Sequence, residues 1–257
     1  MLRARAIPCL LLHKRHLYKT VKFKNPRYIG DPINAVKIFN EKEVDELMSL
    51  DIDASVEKRE PDYDLIEEIV GEAFMPVCYG GGVKSIEQMR KLFYIGVEKI
   101  SISSAAIENP ELISKAASEF GSQSVVVTLD IKKTGLRRKY ELVIYNGTTK
   151  TGFDPVEAAK RMESLGAGEL VINNVDRDGT FEGYDEDIIL KIVQAVNIPV
   201  IALGGAGSLE DIRNVIVRAK ASSAAAGSLF VYYGKLRAVL INYPSQTELD
   251  TLFKGGT

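Results

Sequence analysis

The chain has 257 residues, with 33 Lys and Arg against 35 Asp and Glu, a formal net charge of −2. That balance, with an isoelectric point near 5.9, excludes the whole-chain basic field that non-specific nucleic-acid binding requires. No apolar run approaches the ~18 residues of a membrane span.

The apolar fraction of 46% can fill a large core, and α/β barrels run to about 250 residues as one unit. A single domain over residues 1–257 is therefore expected. The N-terminal run Ala6 to Leu12 is too brief for a signal peptide and lacks a small-residue cleavage site, so a cytoplasmic location is expected. Cys9 and Cys78 each sit inside an apolar, strand-like run and read as buried thiols. His13 and His16 without a Cys cluster are too few for a zinc site. No metal and no cofactor are expected.

In chain order, strand-length apolar runs alternate with segments of helical period. Ala6 to Leu11 leads to a helix over Pro32 to Lys42, and Glu46 to Asp51 to one over Asp64 to Ala73. Pro76 to Tyr79 precedes Ser85 to Tyr94, and Lys99 to Ile102 precedes Pro110 to Phe120. Ser124 to Asp130 precedes Pro155 to Leu165, Glu169 to Asn173 precedes Asp185 to Val196, and Pro199 to Ala202 precedes Leu209 to Ala219. Ser223 to Gly227 closes the series. Eight steps of roughly 32 residues are the size of βαβ units and close into a (β/α)8 TIM barrel; a doubly wound open sheet is the alternative.

An internal repeat favours closure. Met75-Pro76-Val77-Cys78-Tyr79-Gly80-Gly81-Gly82, followed by Ser85, recurs as Ile198-Pro199-Val200-Ile201-Ala202-Leu203-Gly204-Gly205-Ala206-Gly207, followed by Ser208. Asp45-Glu46-Leu47 leading to Asp51 is echoed by Gly168-Glu169-Leu170 leading to Asp176. Two half-barrels make one barrel.

In such barrels the chemistry sits at the C-terminal strand ends. The glycine runs there let the backbone approach an anion, or else form tight turns. Duplication favours the anion: Gly82 with Ser103 and Ser104, and Gly204 and Gly205 with Gly227 and Ser228, form two matched cups suited to two phosphates on one substrate, with Gly179 beside them. Asp51, Asp130, Asp176 and Asp178 stand at or just past strand ends, as acid/base groups or as turn carboxylates. Asp130 ends an apolar run, where a perturbed pKa is expected. By the repeat its mate falls at Leu11. At the opposite strand ends Arg5, Glu46, Lys99 and Glu169 read either as four separate surface charges or as one salt-bridged plug. The basic stretch from His13 to Arg27 is a solvated loop or a lid that attracts an anion.

Across nearly its whole length the sequence resembles the cyclase subunit of imidazole glycerol phosphate synthase. The resemblance rests on Ile7-Pro8-Cys9-Leu10, Lys19, Gly30-Asp31-Pro32, Asp45-Glu46-Leu47, the Gly80 triplet, Asn109-Pro110-Glu111-Leu112-Ile113 and Gly121-Ser122-Gln123. Asp130, Gly166-Ala167-Gly168-Glu169, Asp176 to Thr180 and Gly204 to Gly207 complete it. It implies a glutamine amidotransferase partner docked on the barrel floor, with ammonia passing through the barrel to an anionic bisphosphate at the top. Arg5, Glu46, Lys99 and Glu169 match that family's ammonia gate. Asp130 matches the second of its two catalytic aspartates, whereas Leu11 stands where the first belongs, so efficient imidazole formation is not expected. Lys19 and Asp178 are assigned as positioning groups. Ser103 replaces an Asn, Asn173-Asn174 a Thr-Ser pair, and Leu203 a small polar residue. The run Leu10-Leu11-Leu12 and the tail from Ala238 to Ser245 look closer to a paralogous branch that supplies ammonia for acetamidino groups on surface-polysaccharide sugars.

Overall fold

The computed structural model describes residues 4–136, 138–234 and 236–254. Eight parallel strands close on themselves: β1 (Arg5–His13), β2 (Leu47–Asp51), β3 (Val77–Gly80), β4 (Lys99–Ile102), β5 (Val125–Thr134), β6 (Glu169–Asn174), β7 (Val200–Leu203) and β8 (Ser223–Ala226). Each pairs with its sequence neighbours, and β8 returns to β1 through Ala6↔Ala224 and Ile7↔Ala225. The helices are α1 (Pro32–Glu41), α2 (Tyr63–Glu72), α3 (Ile86–Ile95), α4 (Glu111–Phe120), α5 (Pro155–Ser164), α6 (Glu186–Val193), α7 (Leu209–Val217) and α8 (Gln246–Lys254). This is the expected (β/α)8 barrel. None of its helices is long and apolar enough to cross a membrane among the described residues.

The strands are apolar on both sides because each has two cores to fill. Ile7, Cys9, Met48, Cys78, Val126, Val171, Ile201 and Ala225 face inward and pack the barrel lumen. Alternate residues such as Leu10, Leu47, Ile100 and Leu170 face outward against Phe39, Leu92, Ile113 and Ile189 of the helices. Both cysteines are free and buried; Met48 of β2 pairs with Cys9 on one side and Cys78 on the other, which keeps the thiols a strand apart.

Helix starts follow their capping chemistry. Asp31 accepts from Asn34 N ahead of Pro32, and Asp154 accepts from Val156 N and Glu157 N ahead of Pro155. The repeat is visible in the backbone. Ser85 with Gln88, and Ser208 with Asp211, build capping boxes on α3 and α7. Gly81 and Gly205 take φ of +119° and +118°. Ser103 (φ −114°, ψ −91°) and Gly227 (φ −99°, ψ −73°) introduce short helical turns, Ser104–Glu108 and Ser228–Val231, after β4 and β8.

The excursions differ from the sequence expectation. The basic stretch after β1 is ordered: β1 continues through His13, turns at Lys14-Arg15 and runs back as His16–Val21, which turns at Lys22-Phe23 into Lys24–Gly30. All four turn residues have positive φ, from 49° to 65°, the signature of two-residue hairpin turns. With no Asn-Gly or Asp-Gly at either turn, the sequence hid them. β5 likewise runs four residues past Asp130, pairing antiparallel with Lys139–Ile144. The last helix, α8, docks Leu249 into the outer core and had no sequence counterpart.

Candidate active site

The two ends of the lumen carry different chemistry. At the N-terminal end, Arg5, Glu46, Lys99 and Glu169 come from the starts of β1, β2, β4 and β6 and meet as one ring. Arg5 donates to both Glu46 and Glu169. Lys99 Nζ lies 2.9 and 3.1 Å from the two Glu46 oxygens and 3.0 Å from Glu169 Oε2. Each cation thus bridges both anions. Glu46 and Glu169 are only 2% and 6% exposed. Burial pushes the Glu46 carboxyl up despite its two cations, while Arg5 and Lys99 keep their protons more tightly than usual because both glutamates offset the cost of burying them. The plug reading is therefore what the structure adopts.

Above the ring the lumen is apolar, then polar again at the buried Ser101 Oγ and Thr128 Oγ1 pair, 2.6 Å apart. Beyond it a cleft opens at the C-terminal ends of the strands. Most of the top-face residues singled out from sequence line this cleft: Lys19, Asp130, Asp178, Gly82, Ser103, Ser104, Gly179, Gly204, Gly205, Gly227 and Ser228. Leu11 lines it too.

Asp130 is held from two sides: Asn173 Nδ2 donates to Oδ1 at 2.9 Å, and Ser103 Oγ to Oδ2 at 3.2 Å. Burial outweighs these bonds and raises its pKa to about 7, with the Asp178 charge adding to the rise. A carboxyl poised there can both take and return a proton at neutral pH. Asp178 accepts from Thr20 Oγ1 at 2.9 Å and from Phe23 N at 3.4 Å, and burial raises its pKa as well. Lys19 Nζ donates to the Cys9 carbonyl, and burial lowers its pKa. It lies so close to Gly227 that a Cβ there would meet Nζ at 2.2 Å. Gly179 has a similar role: a Cβ would sit 2.2 Å from the Thr20 carbonyl, so glycine lets the first hairpin lie down on the β6 loop.

Two sequence candidates take other roles. Asp51 lines the cleft but is saturated, clasped by Arg59 Nη2 at 2.8 and 2.9 Å and accepting from Asp53 N and Ala54 N. Asp176 accepts from Lys133 N and does not line the cleft. Phe23 and Asn146 line it without having been singled out; the lone aromatic between Lys22 and Lys24 was the available signal for Phe23. Among the described residues no group of three or more His, Cys, Asp or Glu could hold a metal ion.

The chain is thus a parallel barrel with an ion ring on its floor and a glycine-rich, carboxylate-bearing cleft at its top. Residues 5–237 match the family model described as "Histidine biosynthesis protein". A protein of Leptospira borgpetersenii, provisionally named imidazole glycerol phosphate synthase subunit HisF, is 54% identical over 98% of this chain and 100% of its own. The Pseudomonas aeruginosa protein provisionally named as subunit hisF2 is 52% identical over 97% and 99%. The imidazole glycerol phosphate synthase subunit HisF of Alkaliphilus metalliredigens is 42% identical over 90% and 92%. The chain belongs to the histidine biosynthesis protein family, as a HisF-type synthase subunit.

Proposed function

We propose that this chain is the barrel subunit of a glutamine-dependent enzyme that takes ammonia from a glutamine amidotransferase docked on its floor and delivers it through the lumen to an anionic, phosphorylated or nucleotide-linked acceptor. In this reading the acceptor leads to an amidinated surface-polysaccharide sugar rather than to an imidazole. The observation that carries it is the complete ring of Arg5, Glu46, Lys99 and Glu169 beneath a cleft lined by both Leu11 and Asp130. The conduit end is intact, whereas the acid/base equipment is one-sided. The number in the Pseudomonas relative's name hisF2 fits a subunit kept alongside another of its kind.

Asp130 is the acid/base group in this reading, with Lys19 and Asp178 positioning substrate. The cup of Gly82, Ser103 and Ser104 and the cup of Gly204, Gly205, Gly227 and Ser228 take phosphate oxygens, with Gly179 at the rim. The amidotransferase, as partner, uses the ring end as its docking face.

A second reading, cyclisation in histidine biosynthesis, is favoured by the name of the Alkaliphilus relative and by the poised Asp130. One assay separates the two: purified protein with ammonium chloride and the imidazole-forming bisphosphate precursor, beside Leu11→Asp. The first reading expects an inactive wild type and turnover gained by Leu11→Asp. Wild-type turnover equal to that of a HisF from a histidine pathway would overturn it. A barrel that only activates the glutaminase would keep nitrogen transfer intact in Asp130→Asn.

A further inference from the structure

Away from the cleft, two excursions of the top face end in exposed leucines. Leu136 stands in the turn where β5, having passed Asp130, folds back into Lys139–Ile144, and it is fully exposed. Leu236 stands in the turn between Tyr232–Tyr233 and Ala238–Val239, the hairpin that follows β8, and is 93% exposed, with Tyr233, Val239 and Leu240 exposed beside it. Arg237 pins this second tip to the top rim, 4.5 Å from the centre of the Phe181 ring in the β6 loop, and Tyr232 takes the Arg27 guanidinium of the first hairpin at 5.6 Å. Exposed apolar side chains gathered in this way mark a surface that meets something other than water.

The charge around both tips is of one sign. The sequence has no acidic residue before Asp31, none between Asp130 and Glu141 and none between Asp211 and Glu248, the three segments that build the first hairpin and these two excursions. Lys22, Lys24, Lys132, Arg138 and Lys139 form no ion pair among the described residues, and Arg27 and Arg237 rest on aromatic rings. The whole chain nevertheless carries −2, so its acids lie elsewhere. This face therefore suits an anionic occupant, and a second copy of it would bring like charges together. Shape narrows the choice. Leu136 and Leu236 protrude from separate hairpins, after β5 and β8, and each stands clear of the fold. A folded partner would need a pocket for each tip. A bilayer admits separate apolar tips below its headgroups while flanking Lys and Arg meet anionic lipid.

We propose that the top face of this barrel docks on an anionic lipid bilayer, with Leu136 and Leu236 inserted among the headgroups and the unpaired Lys and Arg of the three hairpins against the lipid phosphates. Steering of an anionic substrate would account for the cations but not for the leucines. The binding is peripheral, since no helix among the described residues is long and apolar enough to cross a membrane. In this pose the ring of Arg5, Glu46, Lys99 and Glu169, at the other end of the lumen, faces away from the bilayer. The inference concerns where the chain sits and not what it transfers, so its failure and that of the proposed function are separate results.

The chain contains no Trp, so one introduced at a tip is the only indole in the protein. Leu136→Trp, Leu236→Trp and, as a control at the floor, Phe74→Trp, a position 88% exposed ahead of β3, are made in the full chain. Each is mixed with vesicles of equal parts phosphatidylglycerol and phosphatidylcholine, and with vesicles of phosphatidylcholine alone. The expected result is blue-shifted emission, quenched by brominated lipid, at positions 136 and 236 with the anionic vesicles, and no shift at position 74. Wild type is expected to co-sediment with the anionic vesicles and to be released as salt rises from about 0.05 to about 0.5 M. Leu136→Glu combined with Leu236→Glu is expected to bind them at least about tenfold more weakly. Because both side chains are exposed, that double variant is expected to keep the wild-type Tm. Absence of wild-type binding to the anionic vesicles would overturn the inference, as would binding that the double variant leaves unchanged or a shift at position 74 equal to those at the tips. Self-association of wild type that the double variant abolishes, without vesicle binding, would assign the tips to a second copy and overturn it equally.

Discussion

Replacing Lys99 by Met is the sharpest perturbation of the floor ring. The ammonium makes three contacts of 2.9 to 3.1 Å with Glu46 and Glu169, so its loss leaves two carboxylates, 2% and 6% exposed, sharing the Arg5 guanidinium. Removing one partner of a buried ion pair costs about 3–5 kcal/mol. The Lys99 side chain is 20% exposed, which screens it and places the expectation near the lower figure, about 3 kcal/mol. For a chain of this size that is a fall of about 6 to 12 °C in Tm. The pH dependence fixes the mechanism. Glu46 is already raised by burial, so without Lys99 it takes up a proton in the folded state more readily than in the unfolded chain. Its contribution is then full below the unfolded glutamate pKa and is lost as pH rises through the folded one, so the deficit of Lys99→Met is large at pH about 8 and shrinks toward pH about 5. Urea unfolding followed by circular dichroism at both pH values measures it. A loss below about 0.5 kcal/mol at pH 8, the size of an exposed pair, would refute the argument that the ring is a buried unit.

Asp130→Asn is expected to lower the rate of nitrogen transfer by about 10²- to 10⁴-fold and to abolish any limb of the pH–rate profile near 7. Because folded Asp130 holds its proton up to about pH 7, its share of stability is full below about pH 4 and lost between those values, so the variant should gain on wild type at pH 8 relative to pH 4, by about 2–4 kcal/mol in chemical denaturation. Gly81→Ala would place a Cβ 2.3 Å from the Asp51 carbonyl at φ +119° and should destabilise by about 3 kcal/mol or more, whereas Gly71→Ala, inside α2 with open space around it, should stabilise by about 0.5–1 kcal/mol; thermal unfolding of the pair checks both. Asp178→Ala removes the acceptor for Thr20 Oγ1 and Phe23 N and should expose the Lys22-Phe23 turn to trypsin, read as a faster first cleavage.

The barrel was legible because its strands are continuous apolar runs and its helices open on Pro, Ser or Asp, so local signals and the fold agree. The cleft was legible for the same reason the repeat was: Gly81 and Gly205 must adopt positive φ, and chemistry forces the same residue in both halves. The first hairpin was not legible. Lys14, Arg15, Lys22 and Phe23 take left-handed backbones that lack their usual glycine or asparagine, held instead by strand pairing and by Asp178. The clasp of Asp51 by Arg59 was equally hidden, since it joins a strand end to a residue eight positions on with no periodic signature. The same holds for Asn173, which sequence marked only as a replacement and whose unmet oxygen exists only once β5, β6 and the Gly204 loop are brought together.

The cleft floor is divided. Leu203, Leu11 and Leu50 come from β7, β1 and β2, while Ser101, Thr128, Asp130 and Asn173 come from β4, β5 and β6. β1 and β5 lie half a circuit apart in an eight-stranded barrel, so proton traffic in the proposed reaction runs on one side only: Asp130 can accept the proton that ammonia sheds on adding to an electrophile, and no carboxyl at Leu11 can act from the other face. Leu11→Asp tests this geometry independently of turnover. The new carboxyl sits beside Leu50, its partner across β1 and β2, where burial raises its own pKa. Two carboxylates facing one cleft resist double ionisation, so the Asp130 carboxyl, at about 7 in the present chain, should titrate higher still in the variant. The 13C signal of Asp130 against pH reads this directly. An unmoved midpoint would mean that positions 11 and 130 do not share a field, and the one-sided cleft would lose its physical basis.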